Sequence, residues 1–347
     1  MTTNNLAYCY RVLPRVSRTF ALGIGLLKEP LRDTVCVSYL ICRILDTIED
    51  TTALPAGERA AGLSRAAREL FSEGQWEDCC ERIKELFPEG RFTGDDHELC
   101  RHSAEVLNVF HGFPRPTREA VTAPVREMAA GMAGTVRRET GDGGLRLETV
   151  GDLKQYCHYV AGTVGIMLTD LFSLDRDSIT PAVRDTLHRL DGDFGLGLQL
   201  TNIIKGVTDD LSRGVAYLPR ETLEKAGVTL SELLDRPGDP RGREVIAGLA
   251  ALALGGLDSA LEYTLAIPSR EADIRLFCAL PLLFAVRTLA LAVHSSRVFG
   301  EKPLKISRGE VSDICRRLEQ ICTDDTALRE LYRTEKKKTG DANTDFR

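Results

Sequence analysis

The sequence lacks the paired cysteines that hold small metal sites or disulfide scaffolds together. Its ten cysteines are spread along the chain, with no CxxC pair and no histidine at zinc-finger spacing. A basic and then apolar leader is also missing, since Met1 leads into Thr2, Thr3, Asn4 and Asn5. These absences predict buried thiols, no secretion and a cytoplasmic protein.

An excess of one charge sign is missing as well. The 347 residues carry 45 basic and 51 acidic side chains, a formal net charge of −6. A protein that wraps a polyanion needs a broad basic surface, so nucleic acid is not an expected partner. A local basic pocket for a small phosphorylated ligand is compatible with this sum. With 43% hydrophobic and 28% charged residues, the chain is expected to fold as a globular protein.

Alternating strand patterns, domain linkers and internal repeats are missing too, whereas helical periodicity is frequent. In one segment apolar residues recur at steps of three or four, at Val121, Val125, Met128, Met132 and Val136. Short breaks such as residues 112–116 separate these segments. The sequence therefore predicts a single all-α domain in which the longest helices surround a central cavity for a small molecule.

The longest apolar run, residues 276–293, is a core helix in our interpretation. Pro281 and Arg287 interrupt it, and its length is marginal for crossing a bilayer. We expect no transmembrane anchor and leave peripheral membrane contact open, as we leave the oligomeric state. The polar residues 335–347 are expected to form a disordered tail after a folded domain of residues 1–334.

Two aspartates at the end of an apolar run form the first candidate site. Asp46 and Asp50 are spaced i, i+4, so on a helix both carboxylates share one face, with Arg43 one turn earlier. Mg²⁺ takes one or two carboxylates and completes its coordination with waters and substrate phosphates, so the pattern favours a diphosphate substrate. The alternative is the solvated end of an amphipathic helix that includes Glu49. The apolar run from Val35 weakens that alternative.

A second polar cluster follows near residue 200. It brings amides, cations and a carboxylate to one side of a helix: Gln199, Asn202, Lys205, Gly206, Asp210 and Arg213. The alternative is a helix that ends near Gly214 with ordinary polar residues in its last turns. Gly195 and Gly197 do not follow a strand, so we reject a dinucleotide-binding loop there.

Two further segments carry polar groups whose roles stay open on spacing alone. Tyr156 and Tyr159 flank His158 at helical spacing, and the small residues that follow allow close helix packing or a bulky apolar ligand. A buried tyrosine more often only satisfies its hydroxyl. Ser17 and Arg18 offer groups for phosphate oxygens, or alternatively a helix cap.

Together these segments resemble the squalene/phytoene synthase family of head-to-head prenyl transferases. The motifs occur in the family's order and approximate spacing, at residues 17–20, 39–50, 156–162 (YCHYVAG), 199–210 and 217–221 (YLPRE). Residues 277–281 and 304–309 extend the resemblance toward squalene synthases, as does YCHYVAG. Residues 198–202 and 217–219 are closer to phytoene synthases. We favour the squalene branch.

The resemblance implies an isoprenoid-synthase helical bundle that condenses two farnesyl diphosphates to presqualene diphosphate and reduces this with NADPH to squalene. The implied catalytic residues are Tyr39, Arg43 and Tyr159, with Tyr159 assisting removal of a proton. The implied Mg²⁺ ligands are Asp46, Asp50, Asp209 and Asp210. A phytoene-type synthase that joins geranylgeranyl diphosphates without a reductant is the alternative enzyme.

Other site residues are carried over by position in the same way. The implied substrate- and diphosphate-binding residues are Ser17, Arg18, Thr19, Arg43, Gln199, Arg213 and Phe277. The residues implied near NADPH or the second diphosphate are Asn202, Lys205, Lys305 and Arg308.

One position departs from the family's pattern. The second acidic motif normally has two aspartates separated by three residues, but here the first is Gly206 and only Asp210 remains. Asp209 points about 100° away on an ideal helix and would substitute only if the helix were distorted. The sequence therefore also allows a truncated or redirected reaction, or a catalytically silent protein that still binds prenyl diphosphates.

Overall fold

A computed structural model describes residues 2–139, 145–295, 298–300 and 304–340. Within these ranges the chain is almost entirely helical, which confirms the predicted all-α class. The chain divides into two compact units. The first unit comprises Met1–Arg138 and Ile166–Pro181, and the second comprises Glu139–Gly165 and Ala182–Arg347.

The elements follow one another in a simple order along the chain. The first are α1 (Thr2–Val16), α2 (Arg18–Leu26), α3 (Leu31–Asp50), α4 (Ala56–Glu69), α5 (Trp76–Leu86), α6 (Asp95–Arg101), α7 (Ser103–His111) and α8 (Arg115–Val136). Next are β1 (Leu145–Arg146), α9 (Val150–Cys157), a π-helical turn (His158–Gly162), α10 (Thr163–Asp175), α11 (Pro181–His188) and α12 (Asp191–Ser212). The last are β2 (Val215–Ala216), α13 (Arg220–Lys225), α14 (Leu230–Asp235), α15 (Pro240–Ala266), α16 (Ala272–Val293), α17 (Arg308–Ile321) and α18 (Asp325–Gly340).

Helix α3 is the centre of the first unit. It contacts α1, α2, α4, α6, α7 and α8. Its sequence suits this position, because aliphatic side chains on several sides of the helix are fully buried, among them Leu40, Ile41, Ile44 and Ile48. Each such side chain stabilises the fold by roughly 1.5–3 kcal/mol. A helix enclosed in this way has little surface left for solvent.

The C-terminal end of α3 is held by an arginine from α4. Arg59 is buried and donates hydrogen bonds to the carbonyl oxygens of Glu49, at 2.7 Å, and Leu54, at 3.2 Å. The Thr51 hydroxyl donates to the carbonyl of Thr47 at 2.7 Å. The last carbonyls of a helix lack partners within the helix, so these bonds fix the final turn of α3.

Helix α12 is the centre of the second unit, where it contacts α9, the π-helical turn, α15, α16 and β2. Glycines allow its backbone to approach two of these neighbours closely. A Cβ on Gly195 would lie 2.6 Å from the carbonyl oxygen of Ala161, and one on Gly256 of α15 would lie 2.6 Å from that of Asp193. Gly195 and Gly197 therefore serve helix packing, in agreement with the rejection of a nucleotide loop.

A buried arginine ties three helices of the second unit together. Arg275 of α16 is 2% exposed and donates to the carbonyl oxygens of Ile267, at 2.7 Å, and Leu265, at 3.0 Å, at the end of α15. It also binds the Asp325 carboxylate at 2.7 Å, at the start of α18. Its charge is thus paired and most of its donors have acceptors, as burial of a guanidinium requires.

Three helical stretches are long and apolar enough to cross a membrane by length and composition. They are Val150–Asp175, Pro240–Ala266 and Ala272–Val293. The last one contains the run at residues 276–293, and 72% of its apolar window is buried inside the protein. This burial agrees with its interpretation as a core helix.

The predicted start of a disordered tail at residue 335 is wrong. Helix α18 continues to Gly340, and the side chain of Glu335 is buried. Lys338 pairs with Glu335 at 2.7 Å, and Lys336 pairs with Asp258 of α15 at 2.6 Å. The first pair lies within α18, and the second joins α18 to α15. Residues 341–347 lie outside the described part of the chain.

The close crossing of α12 and α15 gives a test of the fold. Replacing a helical glycine with alanine ordinarily stabilises a helix by about 1 kcal/mol. Gly256→Ala should instead lower the free energy of unfolding by roughly 1–3 kcal/mol, because its Cβ would collide with the α12 backbone. The neighbouring Gly255→Ala is the control, since no atom lies within 4 Å of its Cβ position. Urea denaturation measures both, and equal effects of the two substitutions would contradict the packing described.

Candidate functional site

A single polar stripe interrupts the burial of α3. From Thr34 to the end of the helix, the only residues that are not buried are Tyr39, Arg43, Asp46 and Asp50. Their spacing of four, three and four residues places them on one face. The solvated end of an amphipathic helix would expose a broader surface, and Glu49 is in fact buried. The first candidate site is therefore a polar line on an otherwise enclosed helix, which we call the α3 stripe.

Arg43 is held by a carboxylate from another helix. Its Nε donates to Oδ1 of Asp96 at 2.9 Å, and its Nη2 donates to Oδ2 at 3.0 Å. Burial lowers the pKa of Arg43, but the hydrogen bonds and charge of Asp96, with the charge of Asp46, raise it overall. The guanidinium has five N–H groups, so three remain for other acceptors. Asp96 was absent from the sequence-based site.

The surroundings of Asp46 disfavour its ionised form. Burial raises the pKa of Asp46 to about 7, with further contributions from the charges of Asp50 and Asp96, whereas Arg43 opposes the shift. Asp46 thus interacts with two other carboxylates and one guanidinium. A cation near Asp46 would stabilise its ionised form.

The donor set fits a magnesium ion that also binds substrate. Within the described residues, no group of three or more histidine, cysteine or acidic side chains is arranged to hold a metal. Asp46 and Asp50 supply two oxygen donors one turn apart, and Mg²⁺ commonly takes one or two carboxylates together with waters and substrate phosphates. The α3 stripe can therefore bind Mg²⁺ together with a diphosphate.

The start of α2 lies beside Tyr39, the first residue of the α3 stripe. Ser17 is the N-cap of α2, and its Oγ accepts from the backbone N–H of Phe20 at 3.2 Å. The Ser17 side chain also hydrogen-bonds with Tyr39. Burial raises the pKa of Tyr39 to about 12, although Ser17 and Arg43 oppose this. The phenol is thus a neutral hydrogen-bonding group at pH 7. Ser17 therefore both caps α2 and contacts the α3 stripe, so its two alternative predicted roles are compatible.

Other residues of this N-terminal motif are open to a ligand. Arg18 and Thr19, the first two residues of α2, are exposed, as is Phe20. The Phe20 ring lies 5.0 Å from the ring of Tyr39, centroid to centroid. Ser17 and Phe20 therefore contact Tyr39 of the α3 stripe. The side chains of Arg18 and Thr19, next to them in sequence, are exposed to solvent.

The second polar cluster also lies along the central helix of its unit. On α12, Ile203, Ile204 and Val207 are buried, whereas the predicted members of the cluster are half-buried or exposed: Gln199, Asn202, Lys205, Gly206, Asp210 and Arg213. Asp210 accepts from the Arg213 guanidinium at 2.6 Å. The predicted polar face is present in the structure, with one firm ion pair at its end.

The missing aspartate leaves space on this face. A Cβ on Gly206 would lie 3.5 Å from Oδ2 of Asp210, which is an ordinary contact. Helix α12 is continuous through Ser212, and Asp209 is exposed. The distortion that would carry Asp209 to the position of the missing ligand is absent from this helix, so Asp210 is the acidic residue on the predicted face.

Tyr159 lies in the π-helical turn between α9 and α10. It is half-buried, and its ring centroid is 5.9 Å from that of His158. The Thr163 hydroxyl donates to the Tyr159 carbonyl at 2.7 Å. A π-helical turn inserted between α-helices is rare and frequently marks a functional site. Sequence periodicity carries no signal for this insertion.

Tyr156 has a structural role that separates it from Tyr159. Its hydroxyl lies 2.8 Å from that of Tyr217, and the two buried rings stack with centroids 4.5 Å apart. The YCHYVAG and YLPRE motifs thus meet. Glu221 of the second motif accepts from the backbone N–H of Val150, at the start of α9. YLPRE therefore helps to position α9.

The remaining predicted residues lie elsewhere in the second unit. Phe277 is buried in α16. Lys305 and Arg308 are exposed, just before and at the start of α17. No described hydrogen bond or ion pair joins either of them to Asn202 or Lys205.

Comparison with known proteins places these features in a family. A family model described as squalene/phytoene synthase matches residues 13–310. Squalene synthase 1 of Arabidopsis thaliana is 32% identical over 306 residues, covering 87% of this chain and 68% of the relative. Squalene synthase LSS of Botryococcus braunii is 31% identical over 332 residues, covering 95% of this chain and 65% of the relative. The chain thus spans about two thirds of the length of these relatives.

Another relative carries a different functional description. A protein of Arabidopsis thaliana named inactive squalene synthase 2 is 30% identical over 314 residues, covering 89% of this chain and 70% of the relative. Similarity at this level is therefore shared by proteins with and without the activity.

Solved structures agree with the fold. A complex of a protein designated TcSQS with the ligand BPH1237 superposes with a TM-score of 0.78 at 26% identity, over 97% of this chain and 99% of that one. A dehydrosqualene synthase with a bound ligand, at 22% identity and a TM-score of 0.62, shares the fold. The family match over most of the sequence and the agreement in fold lead to one conclusion. The chain belongs to the squalene/phytoene synthase family and is a squalene synthase-like prenyl transferase.

Proposed function

We propose that this chain condenses two farnesyl diphosphates head to head to presqualene diphosphate, and reduces that product with NADPH to squalene. The observation that carries the proposal is the α3 stripe, since a helix buried elsewhere along this stretch presents only a phenol, a guanidinium and two carboxylates. Such an arrangement suits a ligand with a charged head and an apolar tail. Family membership supplies the reaction class.

The residues of the first unit would hold the diphosphate. Arg43 keeps three N–H groups beyond those given to Asp96, and a guanidinium binds phosphate oxygens strongly in a partly desolvated place. Mg²⁺ bound by Asp46 and Asp50 would neutralise negative charge that develops on the leaving diphosphate. Ser17, Arg18 and Thr19 would add hydroxyl and cationic contacts at the start of α2.

Two tyrosines would act on the hydrocarbon end of the reaction. A tyrosine is neutral at pH 7, and burial raises the pKa of Tyr39 further, to about 12, so it offers a ring and a hydrogen-bonding hydroxyl without charge. Tyr159 would assist removal of the proton that accompanies closure of the cyclopropane ring. Phe277 would add apolar surface, and exclusion of water protects carbocations from capture.

The second unit would supply the contacts for NADPH and for further phosphate groups. Lys205, Lys305 and Arg308 are exposed cations, and Asn202 is an exposed amide. Such groups are typical of phosphate binding without a glycine-rich loop. Gln199 and Arg213 would contact diphosphate, with Asp210 as the acidic residue of that unit. Asp209 does not take the role predicted for it, because α12 is continuous and leaves this side chain exposed.

A diverged or silent protein is the second candidate. The observation that favours it is Gly206, which replaces a carboxylate of the usual pair, and a relative of similar identity is named inactive. Such a protein would still bind prenyl diphosphate at the α3 stripe.

Product analysis decides between these functions. The purified chain is incubated with Mg²⁺ and either farnesyl or geranylgeranyl diphosphate, with and without NADPH, and both released diphosphate and hydrocarbon products are measured. Squalene formed only from farnesyl diphosphate with NADPH supports the proposal. Phytoene from geranylgeranyl diphosphate without reductant indicates the phytoene-type enzyme, and binding without diphosphate release indicates the silent protein.

We also propose a cytoplasmic location, peripheral to membranes where the apolar product is delivered. It is supported by the cysteines, all ten of which are free thiols and nine of which are buried. Fractionation of cells into cytosol, membrane and secreted material tests it, and recovery from the secreted fraction would refute it.

The metal assignment predicts a specific loss of activity. Asp46→Asn or Asp50→Asn should lower diphosphate release by about 10²-fold or more, because loss of a metal ligand removes several kcal/mol of charge stabilisation. Helix content by circular dichroism should stay unchanged. Release assays over a range of Mg²⁺ concentrations make the measurement. Normal turnover of both variants would refute the assignment of the metal to the α3 stripe.

The role of Tyr159 predicts a difference between two tyrosines of one segment. Tyr159→Phe keeps the ring, so substrate binding should persist while formation of presqualene diphosphate slows by about 10²-fold or more. Tyr156→Phe removes a buried hydroxyl that bonds Tyr217, and should lower stability by about 1 kcal/mol with little effect on the rate. Single-turnover kinetics and urea denaturation separate the two effects. Equal rates for both variants would show that Tyr159 is structural.

Restoring the missing carboxylate tests whether Gly206 weakens the enzyme or marks its divergence. Gly206→Asp places a carboxylate four residues before Asp210, where the structure has room for a Cβ. If the enzyme is a weakened synthase, Gly206→Asp should raise its activity and its response to Mg²⁺. If it has diverged, the new carboxylate should lower the activity or change the product. Gly206→Ala is the control for the gain of about 1 kcal/mol in helix propensity. Identical behaviour of both variants would show that this position does not act on the reaction.

A further inference from the structure

We propose that Asp96 is a positioning residue of the diphosphate site and acts through Arg43. The inference rests on the proposed function, since it assigns Arg43 to diphosphate. Asp96 belongs to the first turn of α6, a helix that contacts α3 and carries none of the family motifs found in the sequence. Its carboxylate meets Arg43 with two parallel bonds, of 2.9 and 3.0 Å.

The two bonds define which part of the guanidinium is left for substrate. Asp96 occupies Nε and one N–H of Nη2, so both N–H groups of Nη1 and the second of Nη2 are free to bind elsewhere. A bidentate pair fixes the plane of the guanidinium as well as its distance. The remaining donors therefore have a fixed direction before the ligand arrives, which reduces the ordering that binding would otherwise require.

Asp96 also keeps Arg43 from neutralising the carboxylate that is assigned to the metal. Arg43 and Asp46 are one turn apart on α3 and attract each other. A guanidinium released from Asp96 would be drawn toward Asp46, which lies three residues further along the same helix face. Such a pair would occupy the oxygen that the metal needs. Removal of Asp96 should therefore weaken binding of the metal and of the diphosphate together.

The neighbouring aspartate provides a matched control. Asp95 lies in the same turn of α6 and pairs with Arg15 of α1, away from the α3 stripe. Asp95→Asn removes the same charge from the same helix end as Asp96→Asn. The two variants thus share any effect of the helix dipole and of net charge, and differ in the loss of the Arg43 contact.

The test measures binding of magnesium and inorganic diphosphate by calorimetry, which requires no turnover. Asp96→Asn should weaken this binding by about ten- to a hundredfold, as losses of partners behind a ligand do, and Asp95→Asn by less than about twofold. Asp96→Glu should recover part of the affinity. In an Arg43→Lys background, where the two parallel bonds cannot form, Asp96→Asn should have little further effect.

Each outcome bears on one claim. Equal effects of Asp96→Asn and Asp95→Asn, or an undiminished effect in the Arg43→Lys background, would overturn the role of Asp96. Wild-type binding with the expected coupling, but no product from farnesyl diphosphate, would support Asp96 and refute the proposed catalytic function. A wild-type chain that binds no magnesium diphosphate would overturn both.

Discussion

The enclosure of α3 is the constraint on which the candidate site depends. The helix is packed by six neighbours, and burying a polar group without a partner is costly, so its polar residues are concentrated on the one face that is only half-buried. Arg43 finds Asp96, and Tyr39 finds Ser17. Asp46 is left among like charges, which is the electrostatic condition under which a divalent cation binds favourably.

The second unit is also built around a central helix, but there glycines allow the close packing. Its central helix α12 is drawn close to α15 and the π-helical turn by glycines, which remove side chains where the backbones meet. On its polar face Asp210 pairs with Arg213. A Cβ at Gly206 would make only ordinary contacts with Asp210, so no close approach of another element requires glycine at this position.

The sequence predicted the parts of this site that depend on local spacing. Asp46 and Asp50 share a face because the helical repeat requires it, and the apolar residues around them indicated burial. Asp96 could not be found in this way, because it meets Arg43 across 53 positions of sequence and only tertiary packing joins them. The π-helical turn at Tyr159 was missed because no residue type marks it. The end of the fold was placed too early, because α18 packs on α15, α16 and α17 and buries Glu335, contacts that only the tertiary structure provides.

The central claim is that Asp46 and Asp50 bind the metal that accompanies a prenyl diphosphate. It is tested most directly by a crystal structure of the chain with Mn²⁺ and a thio-analogue of farnesyl diphosphate, in which anomalous scattering locates the metal. The account predicts a metal within about 2.2 Å of a carboxylate oxygen of Asp46 or Asp50 and of a diphosphate oxygen, near the Mg²⁺ coordination distance. A diphosphate bound away from the α3 stripe, with its metal on other residues, would contradict it.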